Sequence, residues 1–361
     1  MIFYMNKVLI STVLCAVTFT VATSKNMDNP NTNTSLAPIE HLQLTQEWDK
    51  TFPKSEKVDH YKVTFVNRYG ITLAADLYKP KDAEGKLPAI AISGPFGAVK
   101  EQASGLYAQQ LAERGFLTIA FDPSFSGESG GMPRRVASPD INTEDFSAAV
   151  DFLSVHPDVD ADRIGIVGIC GFGGFAISAA ANDTRIKATV ASTMYDMCRV
   201  SANGYYDSAN NADARYKAKV AMNNQRTEDY RTGSYARAGG VVDPLPADAP
   251  QFVRDYYAYY KTPRGYHARS GNSTDGWNVS SALPFINFTL LDRAGEIRNA
   301  VLVVHGENAH SLYFGESAFK KLQGDNKQLL IVADANHCDL YDNLDKIPFD
   351  EIASFLNNYM K

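Results

Sequence analysis

Cysteine is scarce in this sequence, with four residues in a chain of 361. The four are too few and too scattered for a disulfide framework, and no spacing of cysteine and histidine matches a zinc site. An excess of basic residues is also lacking, because Asp and Glu (41) outnumber Lys and Arg (35) and the net charge is −6. Nucleic-acid-binding proteins carry the opposite charge balance. We therefore expect no metal, no cofactor and no nucleic-acid partner.

A hydrophobic run near the start of the chain predicts a targeting segment. Residues 8–21 are apolar, follow Lys7 and precede small residues at 22–24. A run of this length is typical of a secretory signal peptide and is short for a transmembrane helix. We predict a cleavable signal peptide at residues 1–24, a leader at residues 25–60, and export to the periplasm or the medium, with no stable membrane span in the mature chain.

The cysteines that would remain after cleavage are odd in number. They are Cys170, Cys198 and Cys338. At least one thiol would stay free in an oxidising compartment, which fits a cysteine retained for its reactivity better than one retained for bridging.

Strand and helix patterns alternate through the rest of the chain. Alternating apolar residues around Tyr69 and Gly70 predict a hairpin, and Asn142 is a plausible helix cap. Further strands are predicted at 87–93, 116–122, 163–168, 187–192, 300–304 and 328–332, and helices at 101–114, 143–155, from 172, at 313–322 and at 348–359. Such alternation indicates an α/β fold with a mainly parallel central sheet and helices on both faces.

One region interrupts the alternation. Residues 194–298 are polar, rich in tyrosine and without clear strand signals, which predicts a mostly helical lid inserted into a domain at residues 61–361. Its aromatic residues suggest an apolar or ring-bearing ligand, although packing within the insertion explains the tyrosines equally well.

A nucleophile is predicted at Cys170. The residue lies on a glycine-flanked turn at residues 168–171, between a strand that stops at Gly168 and a helix that begins at Phe172. A strand, a sharp turn and a helix are typical of the nucleophile elbow of an α/β-hydrolase, with cysteine where serine is usual. The positive end of the helix and a histidine would favour the thiolate. A buried structural cysteine at a strand end is the alternative.

The predicted base is His337, which follows the last strand. It is the histidine placed to act on a nucleophile from that loop, and a plain surface-loop histidine is the alternative. The acid is less clear, because Ala309 occupies the usual aspartate position. Glu307 is the nearest carboxylate, Asp196 is the second candidate, and Asp339 could be structural.

Backbone N–H groups are expected to form an oxyanion hole. One would come from Gly171, the residue after the nucleophile, and the other from the loop at 94–97. Pro95 has no N–H, so Phe96 is the expected second donor. The predicted pocket residues are His310, Tyr195, Tyr257 and Tyr260, and His305 is expected to be a packed residue at the end of its strand.

Several motifs together resemble a known family. They read CGFGG at 170–174, VKEQ at 99–102, GESGGMPR at 127–134, GENAHS at 306–311 and HCDLYD at 337–342. The chain from about residue 62 resembles the dienelactone-hydrolase-like branch of the α/β-hydrolases, whose nucleophile is cysteine, and in particular a subgroup with polyketide-transferase-like proteins. It departs from dienelactone hydrolase itself at Gly94 and Ala309, where carboxylates are absent.

The resemblance implies a reaction class. We expect cleavage or transfer of an acyl group from a small-molecule ester, thioester or lactone by a Cys170–His337–Glu307 triad, and a homodimer is a candidate assembly. A peptidase of the same fold and a catalytically inactive binding protein are the alternatives.

Overall fold

The computed structural model describes residues 40–361. The predicted signal peptide and most of the predicted leader lie outside the described residues. Within residues 40–361, every helix is too short or too polar to span a membrane. These described residues form one compact unit.

An eight-stranded sheet runs through the centre of this unit in the order β1-β2-β4-β3-β5-β6-β7-β8. β2 is antiparallel to β1 and to β4, and all other neighbouring strands are parallel. The strands are β1 (Val58–Val66), β2 (Thr72–Pro80), β3 (Leu87–Ser93), β4 (Leu117–Phe121), β5 (Val159–Ile169), β6 (Ile186–Ser192), β7 (Ala300–Gly306) and β8 (Lys327–Val332). The predicted α/β class with a mainly parallel sheet is confirmed.

The central strands β3 to β7 are apolar runs because both of their faces are covered by helices. Their side chains divide into two hydrophobic clusters, one on each face of the sheet. The edge hairpin β1–β2 alternates around Tyr69 and Gly70, as its sequence predicts.

The helices are α1 (Ala103–Ala112), α2 (Pro139–Val155), α3 (Gly171–Asn182), α4 (Met197–Asn203), α5 (Ala212–Thr232), α6 (Gln251–Tyr260), α7 (Ala282–Asn287), α8 (Leu312–Lys321), α9 (Asp339–Asp342) and α10 (Phe349–Tyr359). The predicted cap of α2 is wrong. Ser138 caps the helix by accepting the N–H of Ile141, and Pro139 begins it, while Asn142 lies inside and accepts the N–H of Ser138. Proline at the first helical position is a start signal that the prediction overlooked.

The segment between β6 and β7 carries helices α4 to α7. It follows the carboxyl end of β6, the same edge of the sheet at which β3, β5, β7 and β8 end. Loops from these strands therefore meet beneath the segment, which places reactive side chains from distant parts of the sequence together. We refer to residues 193–299 as the lid segment.

Candidate active site

The turn after β5 holds Cys170 in an unusual backbone conformation. Its φ of 58° and ψ of −127° lie where non-glycine residues are rare. The turn is close-packed, since a Cβ at Gly168 would lie 2.1 Å from the carbonyl oxygen of Phe172. The backbone N–H of Cys170 donates to the backbone carbonyl of Ser192 at 2.9 Å. Local strain held by the surrounding strands therefore directs this side chain out of the sheet edge.

The thiol of Cys170 is buried, with 6% of the residue exposed. Burial raises its pKa, and this effect is only partly offset by a hydrogen bond between the thiol and the Tyr341 hydroxyl and by the backbone N–H groups of Gly171 and Phe96. The sequence suggested a thiolate, whereas the structure favours the neutral thiol at rest. The backbone N–H groups that lower this pKa belong to Gly171 and Phe96, the residues predicted as oxyanion-hole donors.

His337 lies in the loop between β8 and α9 and is 1% exposed. Its Nε2 atom lies 2.9 Å from the Tyr341 hydroxyl. Its Nδ1 atom lies 2.6 Å from Ser311 Oγ and 2.8 Å from Thr193 Oγ1. Both ring nitrogens therefore face hydroxyl groups. Burial, with a smaller effect of nearby His310, lowers the pKa of His337 well below its usual value.

Each carboxylate considered for the third position caps a local turn instead. Glu307 is exposed and accepts the backbone N–H of Asp334 at 3.1 Å. Asp196 caps the first turn of α4, and Asp339 accepts the N–H of Asn336. Within residues 40–361, the ring of His337 has no hydrogen bond to a carboxylate. The structure thus places Tyr341 beside both Cys170 and His337, while Glu307 lies in a separate turn.

A cavity of about 170 Å³ opens beside Cys170. Its wall is mostly aromatic and aliphatic, and consists of Phe96, Cys170, Tyr195, Met197, Val200, Tyr205, Val241, Tyr256, Asn272 and Tyr341. In the described part of the chain, the wall therefore contains neither a basic nor an acidic side chain. The cavity suits an uncharged, largely apolar group.

The predicted pocket residues are only partly in this wall. Tyr195 lines the cavity, and its hydroxyl is hydrogen-bonded to His310 Nε2, behind the wall. Tyr257 and Tyr260 lie on α6 but are not among the lining residues, while Tyr256 of the same helix is. Burial lowers the pKa of His310 to about 4, so that this histidine is neutral near pH 7.

Tyr341 and Ser311 belong to the motifs at 337–342 and 306–311, but no role was predicted for them or for Thr193. Tyr341 follows His337 by four residues, a spacing that puts two side chains on one face of a helical turn. That spacing was a usable signal. Ser311 and Thr193 come from other loops, and the sequence contains no local pattern that joins them to His337.

A second buried polar group lies beyond the Phe96 loop. Lys100 Nζ contacts Glu101 at 2.7 Å, Asp122 at 2.8 Å and Glu128 at 2.6 Å, and Lys62 Nζ contacts Glu128 at 2.9 Å. We call these five residues the charged cluster. Burial alone would lower the pKa of Lys100, but the carboxylates raise it well above its usual value. The three carboxylates lie close enough together to hold a metal ion, and here they surround the ammonium group.

This geometry identifies the class of protein. The strand order, the strained turn after β5 and a histidine after β8 define an α/β-hydrolase fold. The crystal structure of the α/β-hydrolase GrgF from Penicillium sp. sh18 has the same fold, with a TM-score of 0.70 at 19% identity over 84% of this chain and 99% of that one.

The family can also be stated. Residues 69–339 match the X-Pro dipeptidyl-peptidase (S15) family, and the chain belongs to it. The Pseudomonas aeruginosa protein PA2218 is 53% identical over 354 residues, which cover 98% of this chain and 92% of PA2218. Its crystal structure has a TM-score of 0.86 at 56% identity and covers 89% of this chain and 99% of that one.

A relative with a more specific name matches a shorter stretch. The thiohydrolase aneE from Aspergillus aculeatus is 35% identical over 133 residues, which are 37% of this chain and 41% of aneE. The family and these relatives agree on a hydrolase-type fold.

Proposed function

We propose that this protein is an exported hydrolase or acyl transferase that cleaves an ester, thioester or lactone through an acyl thioester on Cys170. One observation carries the proposal. The buried thiol faces two backbone N–H groups, from Phe96 and Gly171, and its neighbour Tyr341 connects it to His337. This arrangement provides a nucleophile, an oxyanion site and a base.

The proton route follows from the pKa directions. Near pH 7 the thiol is protonated, since its pKa is raised, and the imidazole is neutral, since its pKa is lowered. As Sγ of Cys170 attacks the carbonyl carbon, its proton passes to the oxygen of Tyr341, and the hydroxyl proton of Tyr341 passes to Nε2 of His337. The tyrosine stays neutral and the histidine becomes positively charged.

Collapse of the intermediate reverses the proton flow. The carbonyl oxygen carries the negative charge while the Phe96 and Gly171 N–H groups donate to it. The C–O or C–S bond to the leaving group then breaks, and the leaving group takes the proton from His337 through Tyr341. Water or an alcohol attacks the thioester by the same route, which restores the thiol.

The cavity supports an uncharged acyl group of modest size. Its volume of about 170 Å³ is comparable to an engineered apolar cavity of about 150 Å³ that binds benzene. A six-carbon chain or a phenyl ring would fit such a space. The thiohydrolase among the relatives supports a thioester as the substrate.

Hydrolysis of a hexanoyl thioester of N-acetylcysteamine tests the proposal. We expect the purified mature protein to release the thiol, and Cys170→Ala and His337→Ala to lower kcat/KM by at least about 10³-fold. Mass spectrometry should find the hexanoyl group on the peptide that contains Cys170. Cys198→Ala is the matched control, because Cys198 is another buried free thiol and is outside the cavity wall.

An acylated peptide other than the one with Cys170, or full activity in Cys170→Ala, would contradict the proposal. Loss of activity in Cys198→Ala without loss of stability would do the same.

Peptidase activity is the second candidate, because the S15 family is described by it. The cavity wall disfavours it, since within residues 40–361 the wall contains no carboxylate to pair with the amino terminus of a peptide. The tetrahedral intermediate formed by a thiol nucleophile also expels an amine leaving group less readily than a thiolate leaving group. Release of p-nitroaniline from Ala-Pro-p-nitroanilide faster than thioester hydrolysis would reverse this ranking.

A further inference from the structure

A side chain of the lid segment binds the loop that holds the Phe96 N–H group. Asn272 Nδ2 donates to the backbone carbonyl of Phe96 at 2.7 Å, and the backbone N–H of Asn272 donates to the carbonyl of Gly97 at 3.0 Å. Ser270 Oγ donates to the same Gly97 carbonyl at 2.9 Å. Two consecutive peptide groups of the loop are therefore fixed by residues about 175 positions later in the chain.

The contact depends on close approach. Gly97 has a φ of +87°, and a Cβ at this position would lie 2.3 Å from Oδ1 of Asn272. Only glycine therefore combines this backbone conformation with space for the asparagine. The fit between Gly97 and Asn272 fixes the direction of the peptide groups on both sides.

Other residues of the lid segment hold the side chain of Phe96. The ring of Trp277 lies 4.7 Å from the Phe96 ring, and the ring of Phe285 lies 5.9 Å from it. The lid segment thus contacts Phe96 at its carbonyl and at its ring. Phe96 lines the same cavity as Cys170, and its backbone N–H group lowers the pKa of that thiol.

We propose that Asn272 is a positioning residue that keeps the Phe96 N–H aligned with the oxyanion, so that the lid segment completes the oxyanion hole. This role rests on the proposed function, since it matters only if an oxyanion forms at Cys170. Preorganised donors stabilise an oxyanion because they need no reorientation during the reaction. Without Asn272, the two loop peptides lose their anchors and the Phe96 N–H samples other directions.

Two variants test the proposal. Asn272→Ala removes the donor to the Phe96 carbonyl, and Asn272→Asp keeps the side-chain size but offers a carboxylate that cannot donate. Loss of an oxyanion-hole donor costs about 10²- to 10³-fold in kcat, and displacement should cost less, roughly 10- to 100-fold. We expect kcat for the hexanoyl thioester to fall by that factor in both variants, with KM changed by less than about threefold.

Alkylation of Cys170 by iodoacetamide distinguishes misalignment of the Phe96 N–H group from general damage to the active site. Displacement of iodide forms no oxyanion, so the alkylation rate, followed by mass spectrometry of the Cys170 peptide, should stay within about twofold of wild type. Asn278→Ala is the matched control. Asn278 is a buried asparagine of the same lid segment. Its side chain donates to the backbone carbonyl of Arg134 at 3.2 Å and makes no hydrogen bond with Phe96.

Unchanged kcat in both Asn272 variants would overturn the proposal, as would equal losses in thioester turnover and alkylation. A wild-type protein that hydrolyses no thioester would instead contradict the proposed function. Hydrogen exchange then still decides whether Asn272 orders the loop: we expect faster exchange for the 94–99 peptide in Asn272→Ala than in Asn278→Ala. Equal exchange in the two variants would overturn the role of Asn272.

Discussion

Two buried polar groups near Cys170 contrast in their chemistry. The charged cluster, centred on Lys100, pairs a buried ammonium group with buried carboxylates at 2.6–2.8 Å. Around His337 the partners are hydroxyl groups from Tyr341, Ser311 and Thr193, and no carboxylate is paired with the ring among residues 40–361. We call His337 with its three hydroxyl partners the neutral cluster.

Burial affects the charge of a group differently in the two clusters. A buried charge is tolerated when an opposite charge lies within contact distance, and otherwise the group gives up its charge. Lys100 therefore stays protonated, with a raised pKa, and His337 stays neutral, with a lowered one. A neutral imidazole is free to accept a proton, and the lowered pKa keeps His337 in that form over a broad pH range.

Removal of the central ammonium should have the largest effect. We expect Lys100→Met to lower the free energy of unfolding by about 3–5 kcal/mol, because three buried carboxylates lose their common partner. Urea denaturation followed by circular dichroism measures the change. Lys57→Met is the control, since Lys57 is exposed and should change stability by less than about 0.5 kcal/mol. A loss below 1 kcal/mol for Lys100→Met would show that the cluster does not depend on its lysine.

Removal of one hydroxyl should interrupt the neutral cluster. Tyr341→Phe deletes the group between the thiol and Nε2 of His337, and we expect kcat/KM for the thioester to fall about 100-fold. Tyr107→Phe removes a buried hydroxyl that contacts Ser192 and the carbonyl of Leu340 instead, and it should keep full activity. Wild-type activity in Tyr341→Phe would mean that thiol and imidazole exchange the proton directly.

As the pH falls, the stability that depends on a buried neutral histidine should be lost first. Burial lowers the pKa of His305, at the end of β7, to about 3. The unfolded chain binds this proton near pH 6.5 and the folded one does not, so stability is lost as pH falls below 6.5. Between pH 7.5 and pH 5, wild type should lose about 2 kcal/mol more than His305→Asn.

The charged cluster should respond at lower pH. Its lysine contacts hold the pKa of Glu128 at about 2 in spite of burial, so its stabilising effect is present above the ordinary glutamate value and is lost as pH falls toward 2. Urea midpoints at closely spaced pH values would resolve the two losses. Identical slopes for wild type and His305→Asn above pH 5 would contradict the assignment to His305.

The smallest effect is expected at Glu307, the predicted triad acid. Its carboxylate is exposed and caps the turn at Asp334, so Glu307→Gln should change kcat/KM by less than about twofold. Asp196→Asn is the paired variant, and it should lower stability through its helix cap without changing kcat. A tenfold loss of kcat in Glu307→Gln would restore the triad that the sequence suggested.

Local sequence was sufficient for much of the fold and for part of the site. Strand and helix periodicity predicted the sheet, and the glycine-flanked turn predicted Cys170 on a strained connection. Tyr341 was within reach of the same reasoning because it follows His337 by one helical turn. By contrast, the cap of α2 was misassigned because an Asn near the start of the helix resembled a cap more than Ser138 and Pro139 did.

Local sequence patterns indicate where the strands end, and therefore which loops could carry Cys170, His337 and the Phe96 N–H group. The surroundings of these groups depend on how the chain folds in space. Ser311, Thr193 and Asn272 reach the site from separate loops, and the direction of each pKa shift depends on burial and on neighbours distant in sequence. These are properties of packing in three dimensions, which one-dimensional spacing does not encode.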